Sequence, residues 1–336
     1  MRRNKSVLAG QVRQLALDSK ILKDNPLGDP AAREIRVYLP PGHAAAGGLP
    51  LLVDLVGYTG SGIAHTNWRA FTENVPERLD RLIGEGKMQP VVVAFPDCFT
   101  RLGGNQYINS AAIGRYEDFL CEEVVPFVEA EANCGGTGRR GLFGKSSGGY
   151  GAIMHGMRRP DVWAAIACHS GDMAFEFSYM AEMPLVLNAL AKHDRSIEKF
   201  MAYFEQVKKP KGSDITLLNM LAMAASYDPD PRQFLGIRLP VDLETGELIA
   251  ERWLNWLAHD PAIVVDKYAG NLRKLKAIYI DCGDEDQYHL HFGSRRLHRA
   301  LDRLKIAHTY EEFPDNHSDV DYRMDVSLPF LERALR

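Results

Sequence analysis

Cysteine is scarce and unpatterned. Five residues (Cys98, Cys121, Cys134, Cys168, Cys282) are spread through 336, odd in number and without a CxxC spacing. That excludes a disulfide scaffold and a cysteine-built zinc site, and fits reduced, buried thiols in a cytoplasmic protein. No apolar run approaches the roughly 18 residues of a membrane span. No sign of charge dominates either: 40 Lys and Arg stand against 44 Asp and Glu, a net of −4, so bulk positive charge supplies no nucleic-acid surface. Arg2, Arg3 and Lys5 make the start basic. Gln11, Arg13 and Gln14 then interrupt the next stretch before an export signal's apolar core of about 7–15 residues can form. Repeats and low-complexity tracts are absent. The expectation is a cytoplasmic globular protein with no nucleic-acid or membrane partner, a homo-oligomer being left open.

A hydrophobic content of 46% against 25% charged residues argues against wholesale disorder. The length suits one large domain or two ordinary ones. Short strand-like runs fall at residues 34–38, 51–55, 91–95, 141–143, 164–168, 277–281 and 308–313, several of them almost continuously apolar. Such runs suit strands buried on both faces of a parallel sheet. Helical patterns at 68–84, 115–132, 149–158 and 294–304 alternate with them, and 11–22 reads as an antiparallel leading strand. The alternation predicts an α/β domain with a mostly parallel, doubly wound sheet.

Residues 172–275 break this rhythm. Helical pieces are expected at 184–192, 196–208, 215–225 (capped by Ser213-Asp214) and 252–259, with a hairpin over 237–249 turning at Glu244-Thr245-Gly246. A structureless loop of such length is improbable inside a compact domain. The expected division is a core of 1–171 and 276–336, with 172–275 as a mainly helical cap insertion.

Chemistry enters at Gly144-Lys145-Ser146-Ser147-Gly148, a Gly-x-Ser-x-Gly match. A short strand ends just before it and a helix with small residues in its first turn follows. This is the strand–elbow–helix context in which a tight turn lifts a serine hydroxyl above the sheet. Ser146 has glycine at both −2 and +2, which Ser147 does not. The dinucleotide-like Gly136–Gly141 run precedes a strand instead of following one, and Gly144-Lys145-Ser146 lacks the earlier glycine of a phosphate loop, Arg139 standing there.

A serine needs a histidine to take its proton and a carboxylate to fix that histidine's tautomer. In the α/β-hydrolase fold the chain order is Ser, acid, His, each after a strand. Asp286, past the glycine turn at Gly283, is the expected acid, with Asp281 and Asp284 as alternatives. His317, on the loop after the last strand, is the expected base. Amides of Ser147 and Tyr58 (Gly57 its rival) would form the oxyanion hole. Asp284, Asp286, His289 and His291 could also be read as metal ligands, but no ligand spacing supports that reading. No metal or cofactor is expected.

These motifs resemble the esterase D family of α/β-hydrolases, which includes S-formylglutathione hydrolases, feruloyl esterases, enterochelin esterases and the antigen 85 mycolyltransferases. The resemblance runs through Val37-Tyr38-Leu39-Pro40-Pro41-Gly42, Gly57-Tyr58-Thr59, Arg115-Tyr116-Glu117-Asp118-Phe119, the elbow, Gly283-x-x-Asp286-Gln287 and His317-Ser318. It implies a Ser146–His317–Asp286 triad acting on a small-molecule ester. The chain departs from the family in Ser147, where S-formylglutathione hydrolases carry methionine, in the acidic Ser318-Asp319-Val320-Asp321, and in the long insertion. A serine carboxylesterase is the leading expectation. An acyltransferase on the same scaffold, and a non-catalytic binding protein, are the alternatives. Met180, Met183, Trp253 and Trp256 are the expected substrate-binding residues of the cap, although methionines of this kind more often pack cores.

Overall fold

Strand β3 (Leu51–Leu55) has no exposed residue, and its side chains divide cleanly between two layers. Leu51, Val53 and Leu55 face one core; Leu52 faces the other. The same period-two division recurs at Val92 and Ala94 against Val93 and Phe95, and at Ile278 and Ile280 against Tyr279. A sheet apolar on both faces must be covered on both, and helices do so.

The computed structural model describes residues 7–336; the basic Arg2, Arg3 and Lys5 lie outside the described residues. Eight strands form the main sheet: β1 (Gln11–Asp18), β2 (Ala32–Leu39), β3, β4 (Val92–Pro96), β7 (Arg140–Lys145), β8 (Ala165–His169), β9 (Ala277–Gly283) and β10 (Thr309–Phe313). Their spatial order is β1-β2-β4-β3-β7-β8-β9-β10. β2 runs antiparallel to both β1 and β4, and every other pairing is parallel. A two-residue ribbon, β5 (Asn109–Ser110) with β6 (Gly114–Arg115), stands apart. Helices Val75–Gly84 and Met324–Leu335 cover one face; Val125–Ala132, Ser147–Arg158 and Leu290–Arg303 lie on the other. The mostly parallel, doubly wound sheet is therefore present.

Local departures from expectation have local causes. The helix expected from residue 68 begins at Val75, because Asn74 caps it in a reciprocal box with Glu77. The preceding Trp68 and Phe71 are exposed, so their apolar character marked no buried helical face. The 115–132 helix contains a π-helical turn at Phe119–Val124, just before Pro126, which has no N–H to continue the ladder. Helix Gly212–Tyr227 has Lys211 at its N-cap position, and Asp214, lying inside the first turn and not ahead of the helix, caps it by accepting from the Lys211 N–H at 2.8 Å. The 237–249 hairpin reduces to one bridge, Val241 with Leu248; the Asp242 carboxylate draws the chain into a turn by accepting from the Glu244 and Thr245 amides.

Between β8 and β9 every regular element among the described residues is helical. Met183, Leu217 and Met220 from this stretch join the same continuous core as Ile153 and Met157 of helix Ser147–Arg158. Among the described residues no helix is long and apolar enough to cross a membrane.

Candidate active site

The centre of the site is the junction of β7 with helix Ser147–Arg158. A Cβ on Gly144 would lie 2.3 Å from the Leu55 carbonyl oxygen, and one on Gly148 would lie 1.8 Å from it. Neighbouring β3 thus excludes any side chain at either position. Between the glycines Ser146 takes φ 59° and ψ −124°, a left-handed backbone that a serine adopts at a cost of about 1–3 kcal/mol. Its own N–H is tied to the His169 carbonyl at 3.0 Å, and its carbonyl accepts from Tyr150 N–H at 2.9 Å. These bonds hold the elbow and leave the hydroxyl toward a cavity of about 480 Å³ lined by Ser146, His317 and Tyr58.

His317 and Asp286 arrive from adjacent strand ends. The loop after β10 presses on the turn after β9, so that a Cβ on Gly283 would meet the Asp315 carbonyl oxygen at 2.2 Å. There His317 Nδ1 lies 2.7 Å from Asp286 Oδ2. A carboxylate can only accept, so Nδ1 carries a proton, and in the neutral imidazole the lone pair is on Nε2. Asp286 is buried, and its Oδ1 accepts from the Tyr288 N–H at 2.9 Å. Gln287 accepts from the His317 N–H at 2.9 Å, Lys145 Nζ donates to the His317 carbonyl at 3.1 Å, and the Tyr288 ring stands edge-on to the imidazole. Ser146 and His317 line one cavity, and no hydrogen bond joins their side chains among the described residues.

The alternative acids lie elsewhere. Asp281 serves His169 (2.6 Å), Arg323 (2.9 Å) and the Tyr279 hydroxyl (3.0 Å), while His169 Nε2 meets Ser327 Oγ at 2.8 Å. This is a second Ser–His–Asp chain, but it is sealed inside the protein. Burial alone would raise the Asp281 carboxyl; His169 and Arg323 outweigh it and hold it below the usual carboxylate range. Asp284 is exposed, as is His289, and Asp286 is already committed to His317. Among the described residues, the metal-ligand types that converge are instead His298, Asp302 and His308, which do not line the cavity.

For the oxyanion, the Ser147 amide opens a helix, where no earlier carbonyl of the helix can engage it. Tyr58 follows Gly57, whose Cβ position lies 3.5 Å from that of Ser146. The Tyr58 loop is pinned: its hydroxyl donates to the Leu102 carbonyl at 2.6 Å, and Gly104 is packed so closely that a Cβ would lie 2.2 Å from the Tyr58 carbonyl oxygen. Burial pushes the Tyr58 phenol well above its ordinary range, so it stays protonated.

The four residues assigned to substrate do not line this cavity. Trp256 is fully buried among Tyr179, Tyr227 and Trp253. Met180 and Met183 face a different hollow, beside Leu187 and the Glu244–Gly246 turn. The helical segment must bury its own apolar surface, and its methionines and tryptophans go to that task. Its contribution to the cavity is mostly polar: Ser178, Tyr179, Glu182, Thr216 and Asn219, with Ile215 as the apolar exception. Beside them on the lining is Asp172, which the sequence reading missed. Its Oδ2 accepts from the Tyr179 hydroxyl (2.9 Å), Ser147 Oγ (3.3 Å) and Gln106 Nε2 (3.3 Å). Ser147, the departure from the family pattern, is thus half of a polar contact; it was the one available signal. Burial raises the Asp172 carboxyl, and burial followed by the nearby Asp172 charge raises Glu182.

The family described as Putative esterase matches this chain over residues 30–327. No curated protein matches it. Similar solved structures include a ferulic acid esterase (19% identity, 97% of this chain and 99% of that one, TM-score 0.59). A fluorophosphonate-binding serine hydrolase of Staphylococcus aureus is also similar (17%, 96% and 99%, TM-score 0.58). So is an S-formylglutathione hydrolase from Agrobacterium tumefaciens (16%, 98% and 96%, TM-score 0.58). At these identities the likeness is one of fold, and the fold is that of the α/β-hydrolases.

Proposed function

The chain belongs to the Putative esterase family, and from that premise we propose that it is a serine carboxylesterase that cleaves a carboxylic ester or thioester through an acyl-enzyme. The observation that carries the reading is the 2.7 Å bond from His317 Nδ1 to Asp286, facing the same cavity as a serine held at positive φ on a glycine-flanked elbow.

His317 Nε2 takes the Ser146 proton as Oγ bonds to the ester carbonyl carbon, and the carbonyl π pair moves onto oxygen. The Tyr58 and Ser147 amides receive that oxyanion, aided by the positive end of the helix that starts at Ser147. Collapse expels the alcohol or thiol, which leaves with the proton from His317. Water then attacks the acyl-enzyme, giving its proton to His317; the second collapse releases the acid and returns the proton to Ser146 Oγ. Asp286 stays ionised throughout and stabilises the imidazolium. Nothing in these steps calls for a metal or cofactor. Residues 172–275 act as the cap that walls the cavity opposite the elbow.

The test is labelling with a fluorophosphonate followed by peptide mass spectrometry, alongside hydrolysis of an activated acetate ester. Modification of Ser146 and loss of hydrolysis in Ser146→Ala are expected. Labelling at Ser147, or turnover undiminished in Ser146→Ala, would overturn the assignment.

A further inference from the structure

The cap side of the cavity is charged in a way the reaction does not use. Asp172 is only 8% exposed, and each donor it meets is neutral: a phenol, a hydroxyl and an amide. All three serve Oδ2, which leaves Oδ1 toward the cavity that Asp172 lines. Glu182 lies on the same wall, half-buried, with no hydrogen-bond or ion-pair partner among the described residues. Between them in sequence, Ser178 is 6% exposed, lines the cavity, and has a buried hydroxyl without a hydrogen-bond partner among the described residues. Among the described residues Lys145 is the one lysine or arginine on the lining, and its ammonium is taken by the His317 carbonyl at 3.1 Å.

Resting on the esterase reading, we infer that the part of the ester lying toward the cap carries a protonated amine, held by Asp172 and Glu182 with Ser178 as a further acceptor. Two carboxylates sharing a partly dry wall, offset only by the nearby imidazoles of His317 and His289 and by no free lysine or arginine among the described lining residues, are an arrangement that costs stability. An ammonium restores the missing charge and offers three donors, enough for Asp172 Oδ1, Glu182 and Ser178 Oγ. A hydroxylated group would satisfy hydrogen bonds but leave the charge uncompensated. An alkyl group would bury all three acceptors against carbon, the costliest pairing. The order of preference is therefore ammonium, then hydroxyl, then alkyl. Burial raises both carboxyls, and the Asp172 charge raises Glu182 further, as a site that waits for a cation would have them.

The experiment compares ω-amino, ω-hydroxy and ω-methyl esters of equal length, placing the variable group once in the acyl chain and once in the alcohol. Acid release is followed at neutral pH. In one of the two orientations, kcat/KM for the amino ester should exceed that of the methyl ester by about tenfold to a hundredfold, the range of a charged hydrogen bond. The ratio should shrink at high salt and collapse toward one in Glu182→Gln and in Asp172→Asn. Glu182 is half-exposed, so its variant tests the idea even if Asp172→Asn misfolds. A hydroxy or methyl ester preferred in both orientations, or an amino preference that survives Glu182→Gln in a folded protein, overturns the inference. Those results would leave the esterase intact, since all three esters would still turn over and Ser146 would still label. Failure of every ester together with failure of labelling would instead sink the underlying reading.

Discussion

Asp286→Asn is the sharpest probe of the site, because the structure dictates which way the new amide must face. Asp286 Oδ1 accepts from the Tyr288 N–H at 2.9 Å, and Oδ2 from His317 Nδ1 at 2.7 Å. An asparagine can keep only one acceptor. Turning its NH₂ toward Tyr288 would set donor against donor, so its oxygen stays with Tyr288 and its NH₂ faces the imidazole. His317 must then present a lone pair at Nδ1 and carry its proton on Nε2, where it can no longer take the Ser146 proton. Loss of about 10⁴ in kcat is the usual consequence of this wrong tautomer in serine triads, or roughly 5 kcal/mol of transition-state stabilisation at 1.36 kcal/mol per decade. Steady-state hydrolysis of an activated acetate ester, with thermal unfolding measured alongside, provides the assay. The near-isosteric change should leave the melting temperature almost unmoved. Asp281→Asn is the control with the opposite signature. Its carboxylate holds His169, Arg323 and Tyr279 in the interior, so breaking that cluster should cost about 3–5 kcal/mol of stability and little of kcat in the folded fraction. If Asp286→Asn keeps kcat within tenfold of the parent, or if Asp281→Asn gives the kinetic loss with stability intact, the assignment of the acid is wrong.

The sheet was legible because it is buried on both faces. Every residue of Leu51–Leu55 and of Ala165–His169 is buried, and a strand with no wet side cannot hide its apolar run. Helix ends were less legible, since apolar spacing says nothing about caps. The spacing ran through Trp68 and Phe71 although both are exposed, and the helix starts where Asn74 and Glu77 satisfy each other. At the elbow the two glycines are forced by one neighbour, the Leu55 carbonyl, so the local pattern carries the constraint in five residues.

Substrate-facing residues had no comparable signature. Helix Gly212–Tyr227 is largely apolar, and only Thr216 and Asn219, three residues apart, mark the side that meets the cavity, a signal too short to read without the fold. Met183 and Trp256 looked available for a ligand but are consumed by the segment's own packing. Asp172 reads in sequence as an ordinary acid after a strand. Only folding brings it beside Ser147 and Gln106, across separations of 25 and 66 residues. Polarity at position 147 was the visible half of a pair whose other half was distant.

Three further outcomes are expected. Gly283→Ala should drive a methyl group into the Asp315 carbonyl at 2.2 Å, moving the His317 loop; kcat on a small ester should fall at least tenfold, and an unaltered kcat would show that the contact does not position His317. Dialysis against EDTA should leave ester hydrolysis unchanged, whereas a loss restored by a divalent ion would bring a metal into the mechanism. Asp172→Asn should make the protein more stable at neutral pH. Burial raises the folded-state pKa of this carboxyl above its unfolded value, so between those two pKa values the native state holds more protons than the unfolded chain. Stability from this group is then present at low pH, lost as pH rises through that window, and replaced above it by a constant penalty for keeping the charge buried. Asparagine carries no such charge and can still accept from Tyr179 and Ser147. The gain in melting temperature should accordingly be largest above the window and shrink below about pH 4, where unfolded aspartate is itself protonated. An equal gain at both ends of the pH range would mean that the variant acts through packing, and that the Asp172 charge is not under strain in the folded protein.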